Sequence, residues 1–290
     1  MNAWSNSKTK IDFIQFIMQR TPNFVNNTDI GQNFLIDRSV IDYIIKKADI
    51  QPEDQILEIG PGEGILTEAL LASPCRSVCA VELDTRLKPN LEAIALKNPK
   101  FSLLWGDAVQ LDYANKLPWM PNRIIANLPY HITTPLLWTL IEKLVPKGLS
   151  SFILMVQLES AQRITSPERN KQRSPLGVTI EAMGSSKILR SVPPSCFRPQ
   201  PRVMSCLIEI TIDKSREFAT DKKWKQFLVR SFAQRRKTLT NNWAAGYGLS
   251  KERSQQILEA HGLKPLARAE ELPLEKWKEL FEAEDFKLTK

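Results

Sequence analysis

Short apolar runs alternate with segments of helical period along the first two thirds of the chain. In the segment 37–48, apolar residues recur every three or four positions, and Asp37 is placed to cap the helix. The further helices are expected at 64–71, 85–96, 134–144 and 158–164. The predicted strands are Gln55–Ile59, Ser77–Val81, Phe101–Trp105, Arg123–Asn127 and Phe152–Gln157. This alternation predicts an α/β fold, in which helices cover both faces of a mostly parallel sheet.

The pattern changes near residue 213. One further strand is predicted at Val203–Ile212, and after it only helical segments follow, at 221–234, 250–260 and 274–281. Four prolines between Val192 and Arg202 preclude a helix there and predict an extended, exposed loop. We therefore divide the chain into an N-terminal extension (1–30), an α/β domain (31–213) and a small all-helical domain (214–290).

Composition and charge narrow the class of protein. With 42% hydrophobic and 25% charged residues, the chain is typical of a globular protein with a buried core. Residues 1–150 hold 15 basic and 16 acidic residues, whereas residues 151–290 hold 25 and 16, so the net charge of +8 divides into −1 and +9. A basic excess confined to one half favours a polyanionic partner such as nucleic acid, and the alternative is a basic surface that only aids solubility.

Features that are missing indicate the compartment. The four cysteines and two histidines form neither a C-x-x-C pair nor a zinc-binding spacing, so we expect reduced thiols and no metal. No apolar run approaches the roughly 18 residues of a membrane span. The apolar stretch 11–18 predicts an amphipathic helix rather than a signal peptide. The expected location is cytoplasmic.

The sharpest local motif is Glu58-Ile-Gly-Pro-Gly-Glu-Gly64, in which a strand ends in a glycine-rich turn that opens a helix. Ile65 occupies the position where a dinucleotide fingerprint needs its last glycine or alanine. Glu63 would repel a pyrophosphate at the start of the helix. The motif therefore favours a cofactor without phosphates that lies against Gly60 and Gly62, and E-x-G-x-G-x-G is the signature of S-adenosylmethionine methyltransferases.

Two acidic residues follow at the ends of the next two strands. Glu82 lies about 20 residues beyond the glycines, where a carboxylate accepts hydrogen bonds from both ribose hydroxyls. Asp107 ends the third strand, where it can accept from the amino group of the cofactor's adenine. Each acid alone is more typical of a helix cap or a solvated loop, but their order after the glycine turn favours a cofactor site.

The fourth strand ends in Asn127-Leu-Pro-Tyr130, at the sheet edge where ligands bind in such folds. A plain turn is the alternative. An adenine amine is a poor nucleophile, because its lone pair is delocalised into the ring. The Asn127 side-chain oxygen and the Leu128 carbonyl can accept its hydrogens, while Pro129 fixes the backbone and Tyr130 stacks on the base. Because a duplex hides this amine, the target is expected to be single-stranded or flipped out.

In these motifs the chain resembles the ribosomal RNA adenine N6-dimethyltransferase family, most closely its bacterial small-subunit (16S), kasugamycin-sensitivity branch. The more specific matches are Gly31-Gln-Asn-Phe-Leu35, Asn127-Leu-Pro-Tyr130, Val192-Pro-Pro-Ser-Cys-Phe197 and Gln234-Arg-Arg-Lys-Thr-Leu239. The resemblance implies a Rossmann-like S-adenosylmethionine methyltransferase sheet at 31–213 and a helical RNA-binding domain at 214–290. It also implies dimethylation of two adjacent adenines in the 3′-terminal stem-loop of the small-subunit rRNA, within an immature 30S-type particle, for which a monomer is adequate.

The same resemblance implies roles for individual residues. Phe197 would stack on the target adenine opposite Tyr130. The cofactor contacts would be Asn33, Leu35, Gly60, Glu82, Asp107 and Asn127.

The chain also departs from the family pattern at positions that flank the site. Residues 26–29 replace basic residues, Leu158 replaces a lysine, Arg173-Ser174 replaces Tyr-Gly, and Met204 replaces an aspartate. We expect these changes to alter RNA docking and to leave catalysis intact.

Basic residues cluster in the second half. Residues 222–237 include seven basic residues and no acid, and the apolar residues among them predict a packed helix face. Arg235-Arg236-Lys237 are not explained by packing and favour contact with RNA phosphates. Arg198 and Arg202 would flank the mouth of the site. The alternatives are a non-catalytic assembly or transcription factor, a large-subunit rRNA methyltransferase and a DNA adenine methyltransferase.

Overall fold

A computed structural model describes residues 32–213 and 219–287, which divide into two compact units. The first unit contains the described residues up to 158 together with 188–209. The second contains 159–187 together with the described residues from 210 onward. The predicted extension 1–30, the amphipathic segment 11–18, the altered residues 26–29 and Gly31 lie outside the described residues.

The seven-stranded sheet confirms the α/β fold class. The strands are β1 (Phe34–Leu35), β2 (Gln55–Ile59), β3 (Ser77–Glu82), β4 (Phe101–Trp105), β5 (Arg123–Asn127), β6 (Ser151–Gln157), β7 (Gly184–Val192), β8 (Phe197–Arg198) and β9 (Ser205–Ile212). The strand order in the sheet is β4-β3-β2-β5-β6-β9-β7, and the five strands β2 to β6 run parallel to one another. These parallel strands are nearly continuous apolar runs, because helices cover both faces of such a sheet.

The helices of the first unit lie close to the predicted bounds. The cap prediction is confirmed, since the Asp37 carboxylate accepts from the Ser39 amide at 2.9 Å. The helices, with the one that follows β6, are α1 (Arg38–Ala48), α2 (Ile65–Ala72), α3 (Lys88–Lys97), α4 (Tyr113–Lys116), α5 (Thr133–Leu144) and α6 (Leu158–Thr165). Short 3-10 turns at 85–87 and 130–132 precede α3 and α5.

The connections of the sheet create a crevice at one edge. The chain passes from β2 to β3 on one side, whereas β5 adds on the other side of β2, so the strand order reverses between β2 and β5. Ligands bind outside the carboxyl ends of the strands at such a point. Backbone bonds from Gly60 N to Val81 O (2.9 Å) and from Gly106 N to Glu82 O (2.8 Å) hold the ends of β2, β3 and β4 together.

The proline-rich segment is less exposed than its composition predicts. Phe197 and Arg198 form β8, which pairs antiparallel with β1. Val192, Cys196 and Phe197 are buried. The prolines do exclude a long helix, but the apolar residues between them pack inward and their backbone pairs with a distant strand.

The helical unit has an aromatic core. Trp224 packs edge-on against Phe281, and Phe232 stacks on Trp277. In each pair the ring centroids are 5.3 Å apart. The Trp243 indole donates to the Ser231 hydroxyl at 2.9 Å. Its remaining helices are α7 (Pro175–Met183), α8 (Lys222–Ser231), α9 (Leu239–Tyr247), α10 (Lys251–Ala260), α11 (Leu274–Glu282) and α12 (Glu284–Lys287).

The helical unit differs from the sequence-based boundary at residue 213. It includes α7, a helix that the pattern analysis did not predict, and the Trp224 indole of α8 donates to Thr179 of α7 at 3.0 Å. Helix α9 and strand β7 were not predicted from the sequence pattern either. Helix α8 ends at Ser231 rather than 234, because Asn242 accepts from the Gln234 amide and donates to the Ser231 carbonyl, which closes a turn.

The helices in the described part of the chain are too short or too polar to span a lipid bilayer. The described residues contain no cluster of three or more potential metal ligands. The four cysteines are buried and form no disulfide with one another.

Candidate active site

A cavity of about 910 Å³, including space open to solvent, lies at the carboxyl ends of β2 to β5. Most of the residues predicted for cofactor binding and catalysis line it together. They are Asn33, Gly60, Gly62, Glu82, Asp107, Asn127, Leu128, Pro129 and Tyr130. Residues brought there without a sequence prediction include Phe34, Leu83 and His131.

Glu82 is a buried carboxylate held by backbone amides. It accepts from Leu83 and Asp84 at 2.8 Å each and from Gly62 at 3.2 Å. Burial raises the pKa of Glu82, and these three hydrogen bonds lower it in part. The group is therefore an oriented acceptor at the cavity wall, which is what a ligand hydroxyl requires.

A second polar cluster supports the same wall and was missed by the sequence analysis. The Gln32 amide donates to Asp84 at 2.7 Å, and the Arg86 guanidinium binds Asp84 through two nitrogens at 2.6 and 2.8 Å. Hydrogen bonding to Arg86 lowers the pKa of Asp84. The only sequence signal is the aspartate two residues after Glu82.

Gly62 lets the turn pass close to an aromatic ring. Its φ is +58°, and a Cβ built there would lie 2.7 and 2.8 Å from two ring carbons of Phe34. Any side chain at residue 62 would thus be strained and would collide with a residue that lines the cavity.

The Asn127 side chain is oriented by a backbone group. Its Nδ2 donates to the Asn33 carbonyl at 3.0 Å, so the side-chain oxygen is the acceptor that remains on this amide. The Leu128 amide donates to the Met155 carbonyl of β6 at 3.1 Å. Both bonds fix the start of the turn that carries Pro129 and Tyr130.

Tyr130 stands in the 3-10 turn at 130–132, and its hydroxyl lies 2.5 Å from the hydroxyl of Ser205. Burial raises the pKa of Tyr130, so its hydroxyl stays protonated near neutral pH. Ser205 was not predicted, because no local pattern links positions so far apart in the chain.

Two residues to which the resemblance gives a role in the site do not line this cavity. Phe197 is only 1% exposed, belongs to the apolar core and does not line the cavity. In this conformation it cannot stack on a base. Leu35 is also buried, pairs in register with Phe197 and lines a smaller adjacent cavity.

Glu58 lies against that smaller cavity and receives a hydrogen bond from the Thr67 hydroxyl at 2.7 Å. Burial raises the pKa of Glu58 from 4.5 to about 8. Between these two values the folded chain binds one more proton than the unfolded chain. This carboxyl therefore makes stability fall as pH rises from about 4.5 to about 8.

The cations expected to bind RNA are exposed. Arg198 lies in register with Phe34, which lines the cavity, and Arg202 follows on the exposed loop before β9. In the helical unit, Arg235, Arg236 and Lys237 form the turn between α8 and α9.

The residues that depart from the family pattern occupy defined positions. Leu158 and Met204 are neighbours, since the Leu158 amide donates to the Met204 carbonyl at 3.0 Å. Arg173 is buried and pairs with the Glu181 carboxylate at 2.9 Å. Ser174 caps α7 by accepting from the Gly177 amide at 3.1 Å.

Comparisons with known proteins identify relatives over most of the chain. A protein of Clostridium acetobutylicum named ribosomal RNA small subunit methyltransferase A is 37% identical over 263 residues, which cover 89% of this chain and 93% of that protein. A protein of the same name from Lactobacillus acidophilus is 36% identical over 265 residues, which cover 87% of this chain and 89% of that protein.

Solved structures share the fold. A dimethyladenosine transferase from Plasmodium falciparum aligns with a TM-score of 0.70 and 24% identity, covering 84% of this chain and 94% of the other. The 23S rRNA methyltransferase ErmE aligns with a TM-score of 0.63 and 24% identity, covering 86% of this chain and 98% of the other. The model of the family described as ribosomal RNA adenine dimethylase matches residues 23–285. The chain therefore belongs to the ribosomal RNA adenine dimethylase family.

Proposed function

We propose that this protein transfers methyl groups from S-adenosylmethionine to two adjacent adenines in the 3′-terminal stem-loop of 16S rRNA, and that it dimethylates N6 of each during ribosome assembly. The observation that carries the proposal is the placement of Asn127-Leu-Pro-Tyr130 in one cavity with Glu82. The names of the small-subunit relatives support the choice of rRNA. The substrate would be an immature 30S-type particle, which would place the protein in the cytoplasm.

The residues present fit S-adenosylmethionine. Glu82 presents an oriented carboxylate for ribose hydroxyls, and Asp107 lines the same cavity. Gly60 and Gly62 leave bare backbone along it, with φ of +68° and +58°. When bound, this cofactor supplies an electrophilic methyl group.

The protein's own contribution is positioning. The Asn127 side-chain oxygen and the Leu128 carbonyl would accept the two hydrogens of the target amine and turn its lone pair toward the methyl group. Tyr130 would stack on the base, an interaction worth about 1–3 kcal/mol. The amine nitrogen would form its bond to the methyl carbon as the carbon–sulfur bond breaks, and a neutral thioether would leave. The methylated amine would be cationic and strongly acidic, so it would lose its proton to water. No general base is then required, and orientation supplies much of the acceleration.

Exposed cations would hold the RNA. Arg198 and Arg202 would contact it near the cavity, and Arg235, Arg236 and Lys237 would bind phosphates in the helical unit. Phosphate contacts of this kind position the RNA without reading its sequence.

The test is Asn127→Ala, with Asn115→Ala on the exposed helix α4 as its control. Asn127→Ala should keep cofactor affinity within a fewfold by calorimetry and lower methyl transfer to unmethylated small subunits by about 10²–10³-fold, the loss usual when one polar transition-state contact is removed. Asn115→Ala should match the wild type. Unchanged turnover in Asn127→Ala would refute the role of that side chain.

Mass spectrometry of rRNA from a deletion strain tests the substrate. The 16S rRNA of the deletion strain is expected to lack two dimethyladenosines. Expression of the wild-type protein should restore them, and expression of Asn127→Ala should not. Loss from 23S rRNA would instead establish a large-subunit enzyme. Normal subunit maturation with Asn127→Ala would show that binding, rather than methylation, is the main function.

A further inference from the structure

Tyr130 is held by a side chain that arrives from a distant part of the chain. Its hydroxyl lies 2.5 Å from Oγ of Ser205, the first residue of β9. Ser205 is 0% exposed, so water does not compete for this bond. Burial raises the pKa of Tyr130, which keeps the hydroxyl protonated and able to donate or accept.

The two partners differ in how firmly their backbones are held. Ser205 begins a strand that lies between β6 and β7 in the sheet, and the preceding residue, Met204, accepts from the Leu158 amide at 3.0 Å. Tyr130 stands in a single 3-10 turn, where its carbonyl accepts the cap bond from the Thr133 amide. The sheet therefore fixes the serine hydroxyl, and the serine fixes the far end of the tyrosine ring.

We propose that Ser205 is a positioning residue that locks the Tyr130 ring in the orientation on which the target adenine stacks. The inference rests on the proposed function, in which Tyr130 is the stacking platform. A bond to the hydroxyl restrains χ1 of Tyr130, and with it the position of the ring, before the base arrives. A ring without this bond must be ordered by the substrate, which weakens RNA binding by about three- to tenfold for one immobilised side chain.

Steady-state kinetics of four variants test this coupling. Ser205→Ala and Tyr130→Phe each remove one hydroxyl and keep the ring, so each should raise KM for the RNA about three- to tenfold with little change in kcat. Cofactor affinity should stay at the wild-type value. The double variant should raise KM no more than the single variant with the larger effect, because both changes break the same bond. Ser205→Thr, which retains a hydroxyl, should recover part of the loss.

The matched control is Cys206→Ala at the next position of β9. Cys206 is as buried as Ser205, and its Sγ lies 3.7 Å from the Ser191 hydroxyl rather than near the cavity. It should lower thermal stability and leave KM unchanged. Multiplicative losses in the double variant, or a Ser205→Ala profile that matches Cys206→Ala, would overturn the proposal.

Side-chain order separates this proposal from the proposed function. The chain has four tyrosines, so tyrosine labelled at Cβ gives a simple NMR spectrum in which Tyr130 is assigned by Tyr130→Phe. Three-bond couplings that report χ1 should show wider averaging in Ser205→Ala than in the wild type, without any RNA. If the wild type transfers no methyl group but this difference is observed, the lock exists and the proposed function fails. Equal χ1 averaging in an active enzyme would overturn the lock alone.

Discussion

Replacing Gly62 by alanine should destabilise the site, and the free-energy cost of this change has two parts. The first part is conformational, because φ is +58° at this position, in the left-handed region that disfavours a Cβ. The second part is steric, because that Cβ would lie 2.7 and 2.8 Å from two Phe34 ring carbons. Phe34 lines the cavity, and the Gly62 amide donates to Glu82 at 3.2 Å, so relief of the collision disturbs the proposed cofactor site.

The expected magnitude follows from these two parts. A left-handed alanine costs about 1–2 kcal/mol. Overpacking against the partly buried Phe34 ring adds about 1–3 kcal/mol. Gly248 offers the matched control, since its φ is +68° and a Cβ added there would meet no other described atom within 4 Å. Gly248→Ala should therefore lower the free energy of unfolding by the conformational cost alone.

Denaturant unfolding and calorimetry with S-adenosylmethionine measure the outcome. We expect Gly62→Ala to be less stable than Gly248→Ala by about 1–3 kcal/mol, the steric part alone. Its cofactor affinity should fall at least tenfold, whereas Gly248→Ala should bind as the wild type does. Adding Phe34→Ala to Gly62→Ala should recover the steric part as a favourable coupling energy. Equal losses in the two alanine variants, or no coupling with Phe34, would refute the steric reasoning.

Three further predictions concern pH, salt and packing. Stability of the wild type should fall by up to about 1.4 kcal/mol per pH unit as pH rises from about 4.5 to about 8 through the Glu58 carboxyl, and unfolding of Glu58→Gln at several pH values should show a shallower slope. Arg236→Ala and Lys237→Ala should each reduce the slope of log K for rRNA against log salt by roughly 0.7–1, and an unchanged slope would contradict the assigned phosphate contacts. Ser231→Ala should cost about 1–3 kcal/mol of unfolding free energy, because it leaves a buried indole N–H unpaired. Ser254→Ala, whose buried hydroxyl has no hydrogen-bond partner among the described residues, should be nearly neutral by the same measurement.

Local pattern was enough to predict much of the α/β unit. The strands from Gln55–Ile59 to Arg123–Asn127 were predicted within one residue, because a strand buried on both faces is a short apolar run between turn residues. The order of Gly60, Glu82 and Asn127 along the chain also predicted a shared site, since parallel strands bring their carboxyl ends to one edge.

Helices whose signals conflict were missed. Helix α7 begins with a proline and contains Gly177, a residue of poor helix propensity, although the Ser174 side chain caps it. Helix α9 follows the cationic turn at 234–237 and is packed by Trp243 from within the aromatic core. In both cases tertiary packing outweighs a weak local preference.

The sequence by itself therefore determined the fold class, the cofactor-type glycine turn and the family motifs, all of which depend on spacing over a few residues. Only the tertiary structure decided which side chains meet. It paired Tyr130 with Ser205, set Leu158 beside Met204, and placed Phe197 in the core rather than in the cavity. Such contacts join positions that are far apart in the chain, and they depend on how strands and turns are brought together in three dimensions, which no local periodicity records.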